Sequence, residues 1–225
     1  MKNASVVPLS VQRVVEAWRT TSSPEQAAIA WHRSNWMMAF PAHRHILGAL
    51  PERLSRAVVR QACRTASSGP DEAEGGFLVM MIWGYGTGGL GAFRTKRILT
   101  VNDQAATLLQ RAAYVVAMSG ALEGYRCLAT SSRLRYLGPA FGTKFLYFCS
   151  REDRPPALIL DKLVSQWLAE NVGLALDPVP WDIDAYARYI DVMTAWADEL
   201  SLRSDQLEAC IFSVQATLAS SLWGT

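Results

Sequence analysis

The spacing of apolar residues is the feature that most constrains how this chain folds. In the C-terminal part, residues 183–200 and 204–222 repeat apolar positions at helical spacing, and no segment shows sustained strict alternation of apolar and polar residues. Capping and breaking residues delimit further predicted helices at 11–18, 22–38, 52–66, 103–120, 121–133 and 161–171. The sequence therefore predicts a mostly α fold.

The length of the chain and the positions of its helix-breaking residues predict how these helices are organised. The chain of 225 residues is long enough for one well-buried core, or for two small lobes around a cleft. We expect a single domain over residues 1–225, made of an N-terminal helical part (1–76), a glycine-rich and hairpin core (77–180) and C-terminal helices (181–225). Within the first part, Ser, Gly, Pro and acidic residues predict an exposed loop at 67–76.

Several classes of protein are excluded by composition. The sequence has no run of 18 uncharged apolar residues, so we expect no membrane span, and residues 1–10 lack the apolar region of a secretory signal. Four widely spaced cysteines and three histidines do not form a zinc or iron–sulfur pattern, so no metal and no cofactor is expected. A cytoplasmic location suits these reduced cysteines best.

Charge is divided unevenly along the chain. Residues 1–150 hold 17 of the 22 Lys and Arg residues but only 8 of the 20 Asp and Glu residues. Arginine outnumbers lysine by 18 to 4, and arginine binds phosphates through two nitrogens at once. The asymmetry indicates a surface that faces an anion. A GC-rich genome, which favours arginine codons, would give the same arginine count without any such role.

One glycine-rich turn is a candidate for chemistry. In the segment 137–144, Gly138 and Gly142 permit backbone conformations closed to other residues, and the amides that come after them would bind a phosphate at a helix start. Lys144 comes next and lies in an apolar run, where partial removal from water favours a nucleophilic amine. The alternative is a glycine turn between packed helices, with a lysine whose head reaches the solvent.

Asp161 is the second candidate. It comes after four apolar residues at a predicted helix start, 17 residues after Lys144, and such a carboxylate is most often a helix cap. If one turn brings it beside Lys144, the carboxylate could stabilise an oxocarbenium-like sugar while the lysine attacks it. That pairing would cleave an N-glycosidic bond, by a logic that parallels glycoside hydrolysis.

These residues carry a resemblance to a known family. The stretch 121–168 resembles the helix-hairpin-helix DNA glycosylases, in which a hairpin ending in Gly-x-Lys is followed by a catalytic aspartate. Gly142-Thr143-Lys144 and Asp161 match this pattern, whereas Ala140 occupies the position of the first hairpin glycine.

The similarity is strongest to the 8-oxoguanine glycosylase-like branch and extends over about residues 77–215. Further matching segments are Trp83-Gly84-Tyr85-Gly86, Arg94-Thr95, Tyr186 with Tyr189, and Trp196-Ala197.

The resemblance implies a fold, a reaction and a partner. The fold would be two helical lobes around a cleft, and the partner double-stranded DNA with a modified base, bound by a monomer. The enzyme would flip that base out of the duplex and cleave its N-glycosidic bond, leaving an abasic site. Lys144 would be the amine nucleophile that forms a Schiff base, and Asp161 the carboxylate that stabilises the sugar.

The substrate remains open between two classes. Members of the branch are linked to repair of 8-oxoguanine and to phage defence, where they remove hypermodified bases such as glucosylated hydroxymethylcytosine. The divergent hairpin and the aromatic, glycine-rich residues 77–93 favour the second class. The alternatives are an 8-oxoguanine glycosylase with lyase activity, a DNA-binding module without catalysis, and a helical interaction protein.

The remaining site residues are predicted in three groups. The predicted DNA-binding residues are Gly138, Phe141, Gly142, Thr143, Arg133, Arg135 and Arg94. The predicted base pocket consists of Trp83, Tyr85, Trp36, Phe40 and Trp181, for which core packing is the alternative. Arg53, Arg56, Arg60 and Arg64 have the spacing of one helix face, which suits either phosphate contact or plain solvation.

Overall fold

The protein is mostly helical, as predicted. The computed structural model describes residues 6–20 and 26–222, with side chains up to residue 217. The helices found there are α1 (Leu9–Arg19), α2 (Arg33–Ala39), α3 (Arg44–Ala49), α4 (Arg56–Cys63), α5 (Pro70–Tyr85), α6 (Gly91–Val101), α7 (Ala105–Ser119), α8 (Ala121–Ala129), α9 (Pro139–Cys149), α10 (Lys162–Val172), α11 (Ile183–Glu199) and α12 (Ser204–Leu222). Strands β1 (Ile29–Ala30) and β2 (Arg53–Leu54) pair antiparallel. Within these ranges, no helix is both long and apolar enough to cross a membrane.

Helix α5 runs through the centre of the molecule. Every residue from Phe77 to Trp83 is buried, so this helix is apolar on all sides, as expected of a helix enclosed by others. It packs against α4, α6, α7 and α9. Its last turn therefore delivers Trp83 and Tyr85 from the centre of the core to the surface of a cleft.

The loop predicted at 67–76 is wrong over most of its length. Helix α5 begins at Pro70, in the position where proline is best tolerated, and carries Asp71 and Glu72 in its first turn. Gly76 lies inside this helix, and α4 passes so close to it that a larger residue would not fit. A Cβ there would lie 3.1 Å from both the carbonyl oxygen of Ala62 and the Cα of Cys63. The glycines that looked like loop signals thus allow close helix packing.

The helix predicted at 22–38 is also wrong over residues 26–32. Its predicted start, at residues 22–25, lies outside the described residues. Ile29 and Ala30 form β1, which pairs with Leu54 and Arg53 of β2, and α2 begins only at Arg33. The pairing also shortens the predicted helix at 52–66, which begins at Arg56 after a cap at Ser55, whose hydroxyl accepts a hydrogen bond from the Val58 amide at 3.3 Å.

The C-terminal helices close the cleft from the other side. Helices α11 and α12 pack on each other, α12 also contacts α1 and α10, and α11 contacts α8. The cleft lies between β1 and the end of α5 on one side, and α9, the start of α10 and α12 on the other. The helix-hairpin-helix elements are α8 and α9, joined by residues 130–138.

Helix α8 packs against α7 through a glycine, which generates a stability prediction. A Cβ at Gly124 would lie 2.7 Å from the Cβ of Val116 and 3.0 Å from its Cγ2, and a β-branched side chain has little freedom to move. We expect Gly124→Ala to destabilise the fold by about 1–3 kcal/mol in urea unfolding, although alanine is the better helix former.

Gly48, in α3, is the matched control for this substitution. A Cβ there would meet only the terminal methyl of Met37, at an ordinary 3.7 Å. Gly48→Ala should therefore be neutral or stabilising by up to about 1 kcal/mol. Equal effects of the two substitutions would contradict the packing argument.

Candidate active site

Lys144 and Asp161 meet at the wall of the cleft. Lys144 lies in the second turn of α9, and its Nζ is 3.2 Å from Oδ2 of Asp161. The other carboxylate oxygen, Oδ1, caps α10 by accepting a hydrogen bond from the Val164 amide at 3.2 Å. Both side chains are largely buried, with 11% and 14% of their surface exposed. Asp161 therefore serves as a helix cap and as the partner of Lys144 at the same time.

Thr143 and Leu160, the residues directly before Lys144 and Asp161, form a second contact between the same two segments. The Thr143 hydroxyl accepts a hydrogen bond from the Leu160 amide at 3.0 Å and donates one to the carbonyl of Pro139 at 2.8 Å. Thr143 is fully buried. The sequence predicted a DNA contact at Thr143, but its side chain does not reach the surface. Instead, it fixes the segment before Asp161 against α9.

The apolar segment 157–160 is buried and has no regular secondary structure, so its backbone groups need partners inside the protein. The hydroxyl of Tyr186 donates to the carbonyl of Leu158 at 2.8 Å, and that of Tyr189 donates to the carbonyl of Ile159 at 3.1 Å. The Ile159 amide donates to Oε2 of Glu208 at 3.3 Å. Helices α11 and α12 therefore hold the segment that ends in Asp161.

A cavity of about 510 Å³ opens beside the Lys144–Asp161 pair. It is bounded by the extended segment 26–30, by the end of α5, and by residues of α4, α9 and α12. The charged and aromatic side chains that line it are Arg53, Arg56, Trp83, Tyr85, Lys144, Asp161, Glu208 and Phe212. The cavity brings an amine, two carboxyl groups and two guanidinium groups to one space with aromatic walls.

Glu208 was not singled out by the sequence analysis. It is 1% exposed, and burial raises the pKa of its carboxyl to about 7; Arg56 lowers that pKa, whereas the nearby Asp161 carboxylate raises it. In the sequence, Glu208 is one acidic residue on an amphipathic helix. Nothing in its spacing shows that α12 turns it inward, so only the position of α12 against the segment 157–160 reveals it.

The residues predicted for the base pocket separate into two sets. Trp83 and Tyr85 line the cavity. Trp36 and Phe40 do not, because they stack on each other in the core, with ring centres 5.9 Å apart and at most 6% exposure. Tyr85 in turn stacks on Phe141 at 4.4 Å, so Phe141, predicted to bind DNA, packs α9 against the end of α5.

Trp181 lies on the hairpin instead of lining the cavity. Its Nε1 donates to the carbonyl of Leu137 at 3.2 Å, and its ring covers Gly142 so closely that a Cβ there would lie 2.4 Å from Cη2. Gly142 also uses its amide within the helix start, donating to the carbonyl of Gly138 at 2.9 Å. Helix α9 begins at Pro139, so Gly142 is a packing glycine inside a helix, and the amide site predicted at Gly142 is not formed.

The predicted basic residues beside the hairpin lie on the surface. Arg133, Arg135 and Arg94 are all exposed, as is Gly138. Asn102 connects the hairpin to α6, since its Oδ1 accepts a hydrogen bond from the Arg135 amide at 3.0 Å and its side-chain amide donates to the carbonyl of Ile98 at 2.7 Å.

Tyr136, which the sequence analysis overlooked, is the other notable hairpin residue. It has a positive φ of 69°, and its ring is 51% exposed. The guanidinium of Arg97 lies 3.6 Å from the ring centre, and that of Arg135 lies 5.6 Å from it. A strained backbone that projects an aromatic ring next to two arginines is typical of a functional surface.

The four arginines expected on one helix face are not arranged that way. Arg53 is in β2, and only Arg53 and Arg64 are exposed. Arg56 points inward, with its guanidinium 5.5 Å from the ring centre of Trp83, and Arg60 lies over Tyr147 at 4.9 Å. Both functions suggested by the spacing, phosphate contact and solvation, therefore fail for Arg56.

Comparison with known protein families identifies the family of this chain. Residues 22–212 match the model of the family described as "Putative 8-oxoguanine DNA glycosylase OGG-like protein". The chain belongs to this family. The match spans Lys144, Asp161, Arg56 and Glu208, and it confirms the branch inferred from the resemblance. No curated protein and no solved structure matches the chain.

The buried carboxyl of Glu208 predicts how the folding stability of this OGG-like protein depends on pH. Because the pKa of Glu208 rises from 4.5 to about 7 on folding, the folded state keeps a proton that the unfolded chain releases. Glu208 therefore weakens folding progressively as pH rises from about 4.5 to 7. Glu208→Gln cannot ionise, so its stability relative to wild type should increase by on the order of 3 kcal/mol across that range.

Urea unfolding of both proteins from the acidic to the alkaline side of that range measures this difference. The low-pH end is the internal control, because there the wild-type carboxyl is neutral in both states. Parallel stability curves over the whole range would contradict the prediction.

Proposed function

We propose that the protein is a DNA glycosylase that cleaves the N-glycosidic bond of a modified base turned out of duplex DNA. Membership of the OGG-like family supports a DNA glycosylase-like function and a DNA substrate. The observation that carries the proposal is the contact between Lys144 and Asp161, 3.2 Å apart at the wall of a cavity that can receive a base.

Each residue of the pair has a distinct part in the proposed reaction. As the bond from C1′ to the base nitrogen breaks, its electron pair leaves with the base, which takes up a proton, and positive charge builds on the sugar. The Asp161 carboxylate stabilises that charge. The ammonium of Lys144 gives up the proton that the departing base takes up, and the neutral amine then forms the bond to C1′ and releases a second proton to solvent.

The identity of the nucleophile decides the product. If Lys144 attacks, the covalent adduct opens to a Schiff base, from which strand cleavage by β-elimination can proceed. If water attacks instead, with Asp161 as the stabilising group, the product is an intact strand with an abasic site. Both outcomes use Asp161, and they differ in whether Lys144 becomes bonded to DNA.

The hairpin surface supplies the proposed DNA contact. Arg133 and Arg135 are exposed shortly before the start of α9, and the exposed ring of Tyr136 lies close to Arg97 and Arg135. Arginines in this position bind phosphates, and an exposed ring can stack on bases when the duplex opens. Flipping a base costs a few kcal/mol, which these contacts would offset.

For the substrate we propose a hypermodified base, such as glucosylated hydroxymethylcytosine, and thus a part in antiviral defence. A cavity of about 510 Å³ that is open at one side leaves room for a substituent beyond the base itself. The alternative is 8-oxoguanine in base-excision repair, which the description of the family favours.

Borohydride trapping tests the reaction. Duplexes carrying glucosylated hydroxymethylcytosine, 8-oxoguanine or a preformed abasic site are incubated with protein and then reduced. We expect a covalent adduct with wild type and none with Lys144→Gln. Asp161→Asn should reduce excision by about a hundredfold or more, because the sugar cation loses its stabilising charge.

The control for this experiment is Lys162→Gln. It removes a lysine next to Asp161 in sequence, but one that is exposed and not part of the pair. Alkali-labile sites without an adduct would indicate attack by water. Binding of duplex DNA with neither adduct nor labile sites on any substrate would replace the proposal by a non-catalytic DNA-binding module.

The DNA surface is tested by the salt dependence of binding. Arg135→Gln should weaken binding to any duplex and lower the slope of log affinity against log salt by about one, since one phosphate contact is lost. Arg151→Gln is the control, because Arg151 is exposed but already paired with Asp153 at 2.7 Å. Equal slopes for the two variants would exclude Arg135 from the interface.

A further inference from the structure

The cavity contains a second charged pair, which the proposed reaction does not use. Arg56 and Glu208 both line it, and both come from the interior: their side chains are 20% and 1% exposed. Arg56 is carried by α4 and Glu208 by α12, so the pair joins the two sides of the cleft. Burying two charges is costly unless their hydrogen-bonding capacity is used.

Arg56 is held in a fixed orientation. Its Nε donates a hydrogen bond to Oε1 of Gln26 at 3.1 Å. The rings of Trp83 and Tyr147 lie 5.5 Å and 5.2 Å from the guanidinium carbon, which confines the planar group. Arginine so placed presents directed donors at little further entropic cost.

Glu208 is fixed through one of its two carboxylate oxygens. Oε2 accepts a hydrogen bond from the Ile159 amide, whereas Oε1 lies 4.0 Å from Nη2 of Arg56, longer than a hydrogen bond. In the described part of the chain, Oε1 accepts no hydrogen bond. A fixed acceptor and a fixed donor therefore stand side by side at the cavity, each able to bind a ligand.

We propose that Arg56 and Glu208 together determine base specificity: Glu208 accepts a hydrogen bond from an exocyclic amino group of the extruded base, and Arg56 donates one to the acceptor beside it. This inference rests on the proposed glycosylase function. It gives the second pair a role distinct from that of Lys144 and Asp161, which act on the sugar.

The pair selects a chemical class of base. Cytosine-derived and guanine-derived bases carry an amino group next to a ring nitrogen that accepts a hydrogen bond. Uracil-derived and hypoxanthine-derived bases lack that amino group. A site built to bind an amino group rejects the analogue without it, because the buried Glu208 oxygen is then left unpaired.

Two matched pairs of substrates isolate the amino group. The first pair is glucosylated hydroxymethylcytosine and glucosylated hydroxymethyluracil. The second is 8-oxoguanine and 8-oxohypoxanthine. Single-turnover excision by the full chain gives a preference for the amino-bearing member of each pair. Affinity for a duplex with a tetrahydrofuran abasic analogue, which has no base, measures DNA binding separately.

Glu208→Gln is the test variant. Its amide oxygen can keep the Ile159 hydrogen bond, which leaves the NH₂ group to face the cavity in place of an acceptor. We expect wild type to prefer the amino-bearing base by about tenfold or more, and the variant to reduce that preference below about threefold or to reverse it. Affinity for the abasic duplex should be unchanged. Arg56→Lys, which keeps the charge but not the fork, should reduce the preference in part.

Asp205→Asn is the matched control. Asp205 is on the same helix and 4% exposed, but it binds Arg203 and the hydroxyl of Tyr147 and does not line this cavity. It should keep the wild-type preference.

Other results would overturn the inference in recognisable ways. Equal excision of both members by wild type, or an unchanged preference in Glu208→Gln, would remove the base-reading role. An equal loss of affinity for the abasic duplex would make Glu208 a structural support for DNA binding. If wild type neither excises any of these bases nor is trapped on an abasic site, the proposed function fails first, and the inference fails with it.

Discussion

The site depends on the hydrogen bond between the Thr143 hydroxyl and the Leu160 amide. Because Thr143 directly precedes Lys144 and Leu160 directly precedes Asp161, this bond sets the distance between Lys144 and Asp161 through the backbone. A lysine and an aspartate on flexible segments would lose conformational entropy when they meet. Here α9 and the segment 157–160 are already cross-linked in the core, so the ion pair at the cleft forms between preorganised groups.

That preorganisation extends outwards through hydrogen bonds to a buried backbone. In the described part of the chain, the segment 157–160 has no neighbouring strand, and Tyr186, Tyr189 and Glu208 take the places that strand partners would fill. The C-terminal helices thus do more than cover the core. They support the chain that ends in Asp161, and one of them places a carboxyl group in the cavity at the same time.

The sequence predicted the helical class and the two residues that the proposal uses, because these depend on local signals: helical spacing, a cap, and the Gly-Thr-Lys motif. The predictions from the sequence were wrong or missing where the environment of a residue depends on tertiary packing. Gly76 and Gly142 looked like turn residues, but they are small because a helix and an indole ring approach them. Arg56 was expected to contact phosphate or solvent, and Glu208 carried no prediction; only the positions of α4 and α12 show that both residues line the cavity. The sequence could not show whether Trp36 and Phe40 lie in the core or in a pocket, because aromatic residues are common in both environments.

The hydrogen bond between Glu208 and the Ile159 amide restricts how such a site can change during evolution. Any residue at position 208 must still accept the Ile159 amide, or the segment that carries Asp161 loses a support. Only a side chain of glutamate length with an oxygen at its end meets that condition. Changes in what the cavity binds would therefore arise more readily through residues 26–30, which border the same cavity but include neither Lys144 nor Asp161.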